Sequence, residues 1–255
     1  MQTTLLTRIK NSNQSLYYCA VAHLILAVIW FGLAMVDTRE LLGVNIWIKP
    51  IKFALSISIY CLTWPLLLDL LPFDRIKERF AFYTVFTMCF EMFAVASQAA
   101  RGELSHYNMT GTYNSLLFAL MGLIVFSQTL FSIYIGILFF RIRPVQISPA
   151  MLWAIRLGIL MTALFALEGG LMSYRMAHTV GGPDGGPGIS MLNWSRIHGD
   201  LRVAHFVGLH ALQLLPLSVT LFRIKKAMPS ISIALLYFIF TSFLFINALL
   251  GHPTF

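Results

Sequence analysis

Charge is what this chain has least of. Only 11% of its 255 residues are Asp, Glu, Lys or Arg, and the acids are the rarer kind, 10 against 18 basic residues. An ordinary soluble domain carries roughly a quarter charged residues, so a surface that mostly faces water is excluded. Cysteine is scarce as well. Cys19, Cys61 and Cys89 show neither CxxC nor Cys/His spacing, which argues against a disulfide framework or a zinc module. No Walker, Rossmann or nucleophile-elbow motif stands in a usable context. The HxxxH and HxxHH boxes of a desaturase-type di-iron site are missing, and the last apolar run, 231–250, lacks the lysine of a retinal protein. No internal repeat supports an inverted-repeat transporter.

What is present is apolar. Hydrophobic residues make up 58% of the chain and the mean hydropathy is +0.78. Several uncharged runs approach or exceed the roughly 20 residues that a helix needs to cross a bilayer. The fold class expected is all-α: a polytopic helical membrane bundle forming one domain over 1–255. Seven transmembrane helices are expected at 16–36, 53–72, 81–99, 115–140, 151–174, 202–222 and 231–250. Arg8 and Lys10 precede a first run too long for a signal-peptide core and without a small-x-small cleavage site, so it reads as a retained span. The three cysteines fall inside spans as small buried residues.

The formal charge of +8 does not point to nucleic acid, because the cations sit in small clusters between apolar runs. Arg8 and Lys10, then Arg75, Lys77 and Arg79, then Arg141 and Arg143, then Arg223, Lys225 and Lys226 gather on one side: ten of the eighteen. The positive-inside rule makes that side, with the N-terminus, cytoplasmic and puts the C-terminus outside. The other side mixes Arg39, Lys49, Lys52, Arg101, Arg175, Arg196 and Arg202 with Asp37, Glu40, Glu103, Asp184 and Asp200, the pattern of organised outer loops. Pro72, Pro144, Pro149 and Pro229 flank span ends. The run GGPDGGPG at 181–188 reads as a flexible connector or as a lid over an outer site.

Polar groups inside spans mark functional sites, because hydrocarbon tolerates them poorly. In the third span Glu91 and Gln98 lie two turns apart on one face, followed by Arg101 and His106. Glu91 is then a neutral hydrogen-bonding acid or half of a buried pair, and a helix–helix hydrogen bond is the plainer role. In the fifth span Glu168 precedes Gly169 and Gly170 and shares a face with Arg175, its simplest partner; the alternative has it facing Glu91 or the sixth-span histidines. In the sixth, His198, Arg202 and His205 share one face; Phe206, His210 and Gln213 share another, while Asp200 precedes the helix. Trp47, Lys49 and Lys52 open the second span; Lys49 fits snorkelling to headgroups, and Lys52 either that or an anion contact. The inner half offers only His23, Asp69, Gln128 and Arg156. A polar pocket opening to the extracytoplasmic face follows.

The segments WIKPIKF (47–53), EMFAVASQAARGELSHYN (91–108), LEGGLM (167–172), VGGPDGGPG (180–188) and HGDLRVAHFVGLHALQ (198–213) together resemble a family of uncharacterised bacterial seven-span membrane proteins. The resemblance implies a plasma-membrane location and supplies no activity. From the residues, three functions compete. The first is a membrane enzyme or metal-binding protein. In it Glu91, Glu168, His205 and His210 are ligands to a divalent metal, and His106 or His198 acts as general acid/base. Lys52, Gln98, Arg101, Asp200, Arg202 and Gln213 then bind a small-molecule, anionic or lipid ligand from outside. The second is a proton- or anion-handling carrier or channel, whose nearly apolar inner half leaves few stepping stones. The third is a sensor or assembly factor.

Overall fold

The computed structural model describes residues 4–255. The elements are α1 (Leu5–Ser12), α2 (Gln14–Val36), β1 (Glu40–Leu41), β2 (Val44–Asn45), α3 (Ile48–Leu68), α4 (Asp74–Arg101), α5 (Gly111–Arg141), α6 (Pro149–Arg175), β3 (Thr179–Val180), β4 (Gly199–Asp200), α7 (Leu201–Leu209), α8 (Ala211–Leu221) and α9 (Ala227–Leu249). The class is all-α, with β1–β2 and β3–β4 as two-residue antiparallel pairs. Among the described residues six helices are long and apolar enough to cross a membrane, and α7 with α8 makes a seventh if that pair, bent by 51°, is one span. This is a multi-pass membrane protein. The chain divides into two compact units, Met1–Gln128 and Thr129–Phe255, with the division inside α5.

In unit one Asn13 closes α1 through its N–H to the Ile9 carbonyl and caps α2 by accepting from the Leu16 N–H (2.9 Å). The short helix α1, which hydropathy did not reveal, is held to the end of α3. The Ser12 hydroxyl donates to the Pro65 carbonyl (2.8 Å) and Arg8 pairs with Asp69 (3.4 Å). The small buried residues Ala20, Ala27 and Ala54 let α2 and α3 approach, with Cys19 and Cys61 Sγ atoms 3.7 Å apart. Trp64 packs on Phe80 at 4.4 Å between ring centroids and joins α3 to α4. Cys89 departs from expectation: it is exposed, whereas Cys19 and Cys61 are buried. Helix α3 begins five residues before the expected span, so Lys49 and Lys52 belong to its first turns.

In unit two Ser148 caps α6 (3.2 Å to the Met151 N–H), with Pro149 in the first turn, where its missing N–H costs nothing. Ala150, Ala154, Ala211, Leu215, Val219 and Ala234 form the seam of α6, α8 and α9. Gly158 sits on the chain at Ala211, and Gly208 on the Phe165 ring so closely that any β-carbon there would overlap it. Arg156, read from sequence as an inner polar group, is structural. Its guanidinium donates to the Phe139 (2.9 Å) and Ile142 (3.1 Å) carbonyls and lies over Phe140 and Trp153.

The break at His210 has an identifiable cause. A side chain inserted into a helical ladder kinks it, and the groups it frees need new partners. The Thr162 hydroxyl accepts from the Leu212 N–H (3.0 Å) and donates to the Leu209 carbonyl (3.1 Å). The Tyr237 hydroxyl donates to the Val207 carbonyl (2.5 Å). Thr162→Val keeps the shape and removes both bonds. We expect it to cost about 1–3 kcal/mol, read as a lower thermal unfolding midpoint in detergent, with Thr162→Ser close to wild type.

Candidate functional site

The buried face of α4 carries Thr84, Thr87, Glu91 and Gln98, all less than a tenth exposed and spaced by three, four and seven residues. That spacing stacks them along one side of the helix. The Thr84 hydroxyl accepts from the Gln128 amide (2.9 Å), which also reaches the Tyr60 hydroxyl (3.4 Å). Tyr83 bonds Ser127 on the neighbouring turn. Glu91 is different. Its Oε1 is sealed from solvent and makes no hydrogen bond, and Lys49 is the cation whose field reaches it. Gln98 donates to the Asn114 side chain (2.9 Å) and the Leu104 carbonyl (3.2 Å) and accepts from Arg101 (2.9 Å). A polar file therefore follows α4 for most of its length. Hydropathy hid it, because hydroxyls on an apolar helix do not lower a window average enough to register.

At the end of unit one where α4 stops, Gly102 adopts φ 70°, a left-handed cap that turns the chain back over α4. The returning segment brings His106 to Lys49, Nζ to Nδ1 at 3.1 Å, with the Ser105 hydroxyl also 3.1 Å from Nδ1 and Phe53 against the ring. Lys49 thus turns inward to the imidazole rather than out to headgroups. Lys52 lies half-buried one turn below. Arg101 is exposed, its guanidinium 4.6 Å from the Tyr113 ring centre. The β1–β2 hairpin is pinned by Asp37, which accepts from Arg39 (2.7 Å) and the Trp47 indole (2.9 Å), and by Arg39 donating to the Ala100 carbonyl (3.0 Å). Arg39 first and Trp47 second hold the Asp37 carboxyl well below its ordinary value, and Asp37 raises that of Arg39.

In unit two the segment 177–200 is a tied clasp. Asp200 caps α7, accepting from the Arg202 N–H (3.1 Å), its guanidinium (2.9 and 2.6 Å) and the Ser195 N–H (2.9 Å). Arg202 also reaches the Asn193 carbonyl. Asp184, inside the glycine-rich run, accepts from the Thr179 N–H (2.9 Å) and lies 3.2 Å from His178 Nδ1, so that run is anchored at its centre. His198 packs its ring against Gly182, where a β-carbon would fall within 2.2 Å of Nε2. Gly199 passes under α9 and donates to the Gly251 carbonyl (2.9 Å). Burial pushes the Asp200 carboxyl up, but the Arg202 hydrogen bonds and charge, the Ser195 N–H and His178 outweigh it, and the net shift is downward.

Deeper in unit two, Glu168 is buried and neither carboxyl oxygen has a hydrogen-bond partner, so the pairing with Arg175 expected from spacing is not formed. His205 sits beside Gly169 and places Nδ1 2.7 Å from the Phe165 carbonyl. A carbonyl only accepts, so in the neutral ring Nδ1 bears the hydrogen and Nε2 keeps its lone pair. His210 lies at the helix break, edge-on to Phe206 at 4.5 Å and hydrogen-bonded to the Gln213 side chain. Because the helix bends there, the regular-helix projection that put His205 and His210 on different faces does not apply. Among the described residues no three His, Cys, Asp or Glu side chains group as a metal ion requires. Glu168, His205 and His210 share unit two without forming such a group, and Glu91 belongs to unit one.

Of the expected site residues, unit one brings Gln98, Arg101 and His106 to one end, where Lys49 joins them, and unit two brings His198, Asp200 and Arg202 into the clasp. The residues sequence reasoning missed are Thr84, Thr87, Thr162, His178 and Tyr237. Only the α4 threonines carried a legible signal, their helical spacing from Glu91. No family model, curated protein or solved structure matches this chain.

Asp37 and Asp200, with carboxyls held low, contribute stability that is complete above the unfolded value near pH 4 and lost as pH falls through the lower folded values. The hairpin and the clasp are therefore expected to keep their hydrogen-exchange protection down to about pH 4 and to lose it only below. Asp200→Asn should remove the acid transition from 177–200 and leave that of 37–47 in place.

Proposed function

We propose that this chain is a proton-handling carrier of the bacterial plasma membrane, with Glu91 as the group that takes up and releases the proton. The carrying observation is the Glu91 carboxyl itself. It is buried at 5% exposure, with one oxygen unpartnered, midway along a helix face that also presents Thr84, Thr87 and Gln98. Buried polar groups that lack a partner are rare in proteins and ask for a functional or solvent explanation. Ionisable groups on such a path are the usual parts of proton relays. The threonines and Tyr60, which composition alone did not reveal, join Gln128 as inner stepping stones.

The topology that accompanies this reading has seven spans, counting α7 and α8 as one, with the N-terminus cytoplasmic and the C-terminus extracytoplasmic by the distribution of Lys and Arg. The resemblance to uncharacterised bacterial seven-span proteins agrees with that membrane. Lys49, Lys52, Gln98, Arg101 and His106 then face the extracytoplasmic side, where they receive a small anionic or headgroup ligand. A metal-dependent reaction draws no support from the donors, which are not grouped among the described residues.

The test is proton flux in proteoliposomes carrying a pH-sensitive dye and driven by a potassium diffusion potential. Wild-type protein is expected to carry flux, and Glu91→Gln to lower it at least about tenfold without shifting the unfolding midpoint. Absence of protein-dependent flux from acidic to neutral pH, or full flux in Glu91→Gln, overturns the proposal.

A further inference from the structure

The unpartnered polar atoms of unit one are not confined to Glu91. His23 Nε2 on α2, Ser58 Oγ on α3 and Thr87 Oγ1 on α4 are also sealed from solvent with no hydrogen bond, in residues 2%, 1% and 0% exposed. These three helices pack against one another pairwise. Their levels can be read from the contacts that pin them. Cys19 meets Cys61, so His23, four residues further along α2, and Ser58, three residues back along α3, rise in the same direction by about 6 and 4.5 Å. Trp64 meets Phe80, so Ser58 and Thr87 rise from that pair by about 9 and 10.5 Å. His23, Ser58 and Thr87 therefore stand at one level, and Glu91 lies one turn beyond, about 6 Å along α4.

The chemistry of the four groups is complementary. His23 places Nδ1 2.7 Å from the Cys19 carbonyl, an atom that only accepts. In the neutral ring Nδ1 carries the hydrogen, and Nε2 presents a bare lone pair to the interior. Ser58 and Thr87 each offer a hydroxyl that donates and accepts at once, and Glu91 offers an acid. An acceptor, two amphoteric hydroxyls and a donor are the components of a hydrogen-bonded chain with water as its missing links. Buried water typically occupies such places, making two to four bonds to groups the protein leaves unpartnered.

Building on the reading of Glu91 as the proton-carrying group, we propose that His23 is a second proton station, joined to Glu91 by water held between α2, α3 and α4 at Ser58 and Thr87. A proton leaving the Glu91 carboxyl passes to this water. The water releases one to His23 Nε2, so the carboxylate and the imidazolium form together, and the reverse transfer restores both neutral groups. No other reactant is needed.

Two measurements test it. Radiolytic hydroxyl labelling of the detergent-solubilised protein reports trapped water without reference to transport. His23 is expected to be modified despite its burial, and Ser58→Leu, which fills the space, to suppress that modification severalfold. An unmodified His23 overturns the proposal whatever the flux. In proteoliposomes His23→Gln, which keeps a donor for the Cys19 carbonyl and cannot titrate, should lower flux at least about tenfold with the unfolding midpoint unchanged. Ser58→Ala with Thr87→Val should lower it severalfold. Full flux in His23→Gln beside a silent Glu91→Gln removes His23 from the path and leaves Glu91 in it. Labelled His23 in a protein with no wild-type flux keeps the hydrated site and defeats the carrier function.

Discussion

Hydrocarbon supplies no partner for a hydrogen bond, and that constraint shapes every part of this molecule. Each N–H, carbonyl or side-chain dipole placed at membrane depth must be met by the protein itself. Where the backbone departs from a regular helix, at His210, the freed groups are met by Thr162 and Tyr237, side chains from two other helices. The small residues at Gly158 and Gly208 allow the close approach that puts Thr162 within reach. Apolar surroundings thus permit the break only because a second helix repairs it. Against this background the unpartnered atoms of α2, α3 and α4 stand out, as do the two carboxyl oxygens of Glu168 on α6.

At the ends of the helices the logic changes from satisfaction of dipoles to pairing of charge. Asp37 with Arg39 and Trp47, and Asp200 with Arg202 and Ser195, each turn one carboxylate into the anchor of a whole loop. A single acid accepting three or more hydrogen bonds fixes more backbone than the two-residue strands beside it. The chain has few acids, and these two are used to organise its connections.

The apolar runs and the charge asymmetry of their flanks were legible in the sequence, because hydropathy over about twenty residues and clusters of Lys and Arg are properties of composition. Helix starts were less so: α3 and α4 extend five and seven residues upstream of the apolar runs, through Lys49 and Lys52 and through Asp74 to Phe80, since helical bonding continues past the hydrophobic boundary. Glu91 was found by its charge, and the threonines beside it were passed over because a hydroxyl registers weakly on any hydropathy scale. The clasp was half-visible. Its mixed charges promised organisation, but the glycines around Asp184 read equally as a loose connector, and only the hydrogen bonds to Thr179 and His178 decide between them. The break at His210 was passed over although Gly208 and Pro216 flank it, and the Thr162 hydroxyl that bridges it lies about fifty residues away in the chain.

The uneven exposure of the three thiols has a practical consequence. Cys19 and Cys61 are enclosed between helices, while Cys89 opens onto an apolar groove of Phe82, Phe86, Phe90 and Phe93. A lipophilic thiol reagent partitioning from the acyl chains meets a single exposed sulfur, whereas a sulfonated reagent confined to the aqueous phase meets none. The unaltered protein therefore offers one address for a nitroxide or fluorophore that reports from within the hydrocarbon.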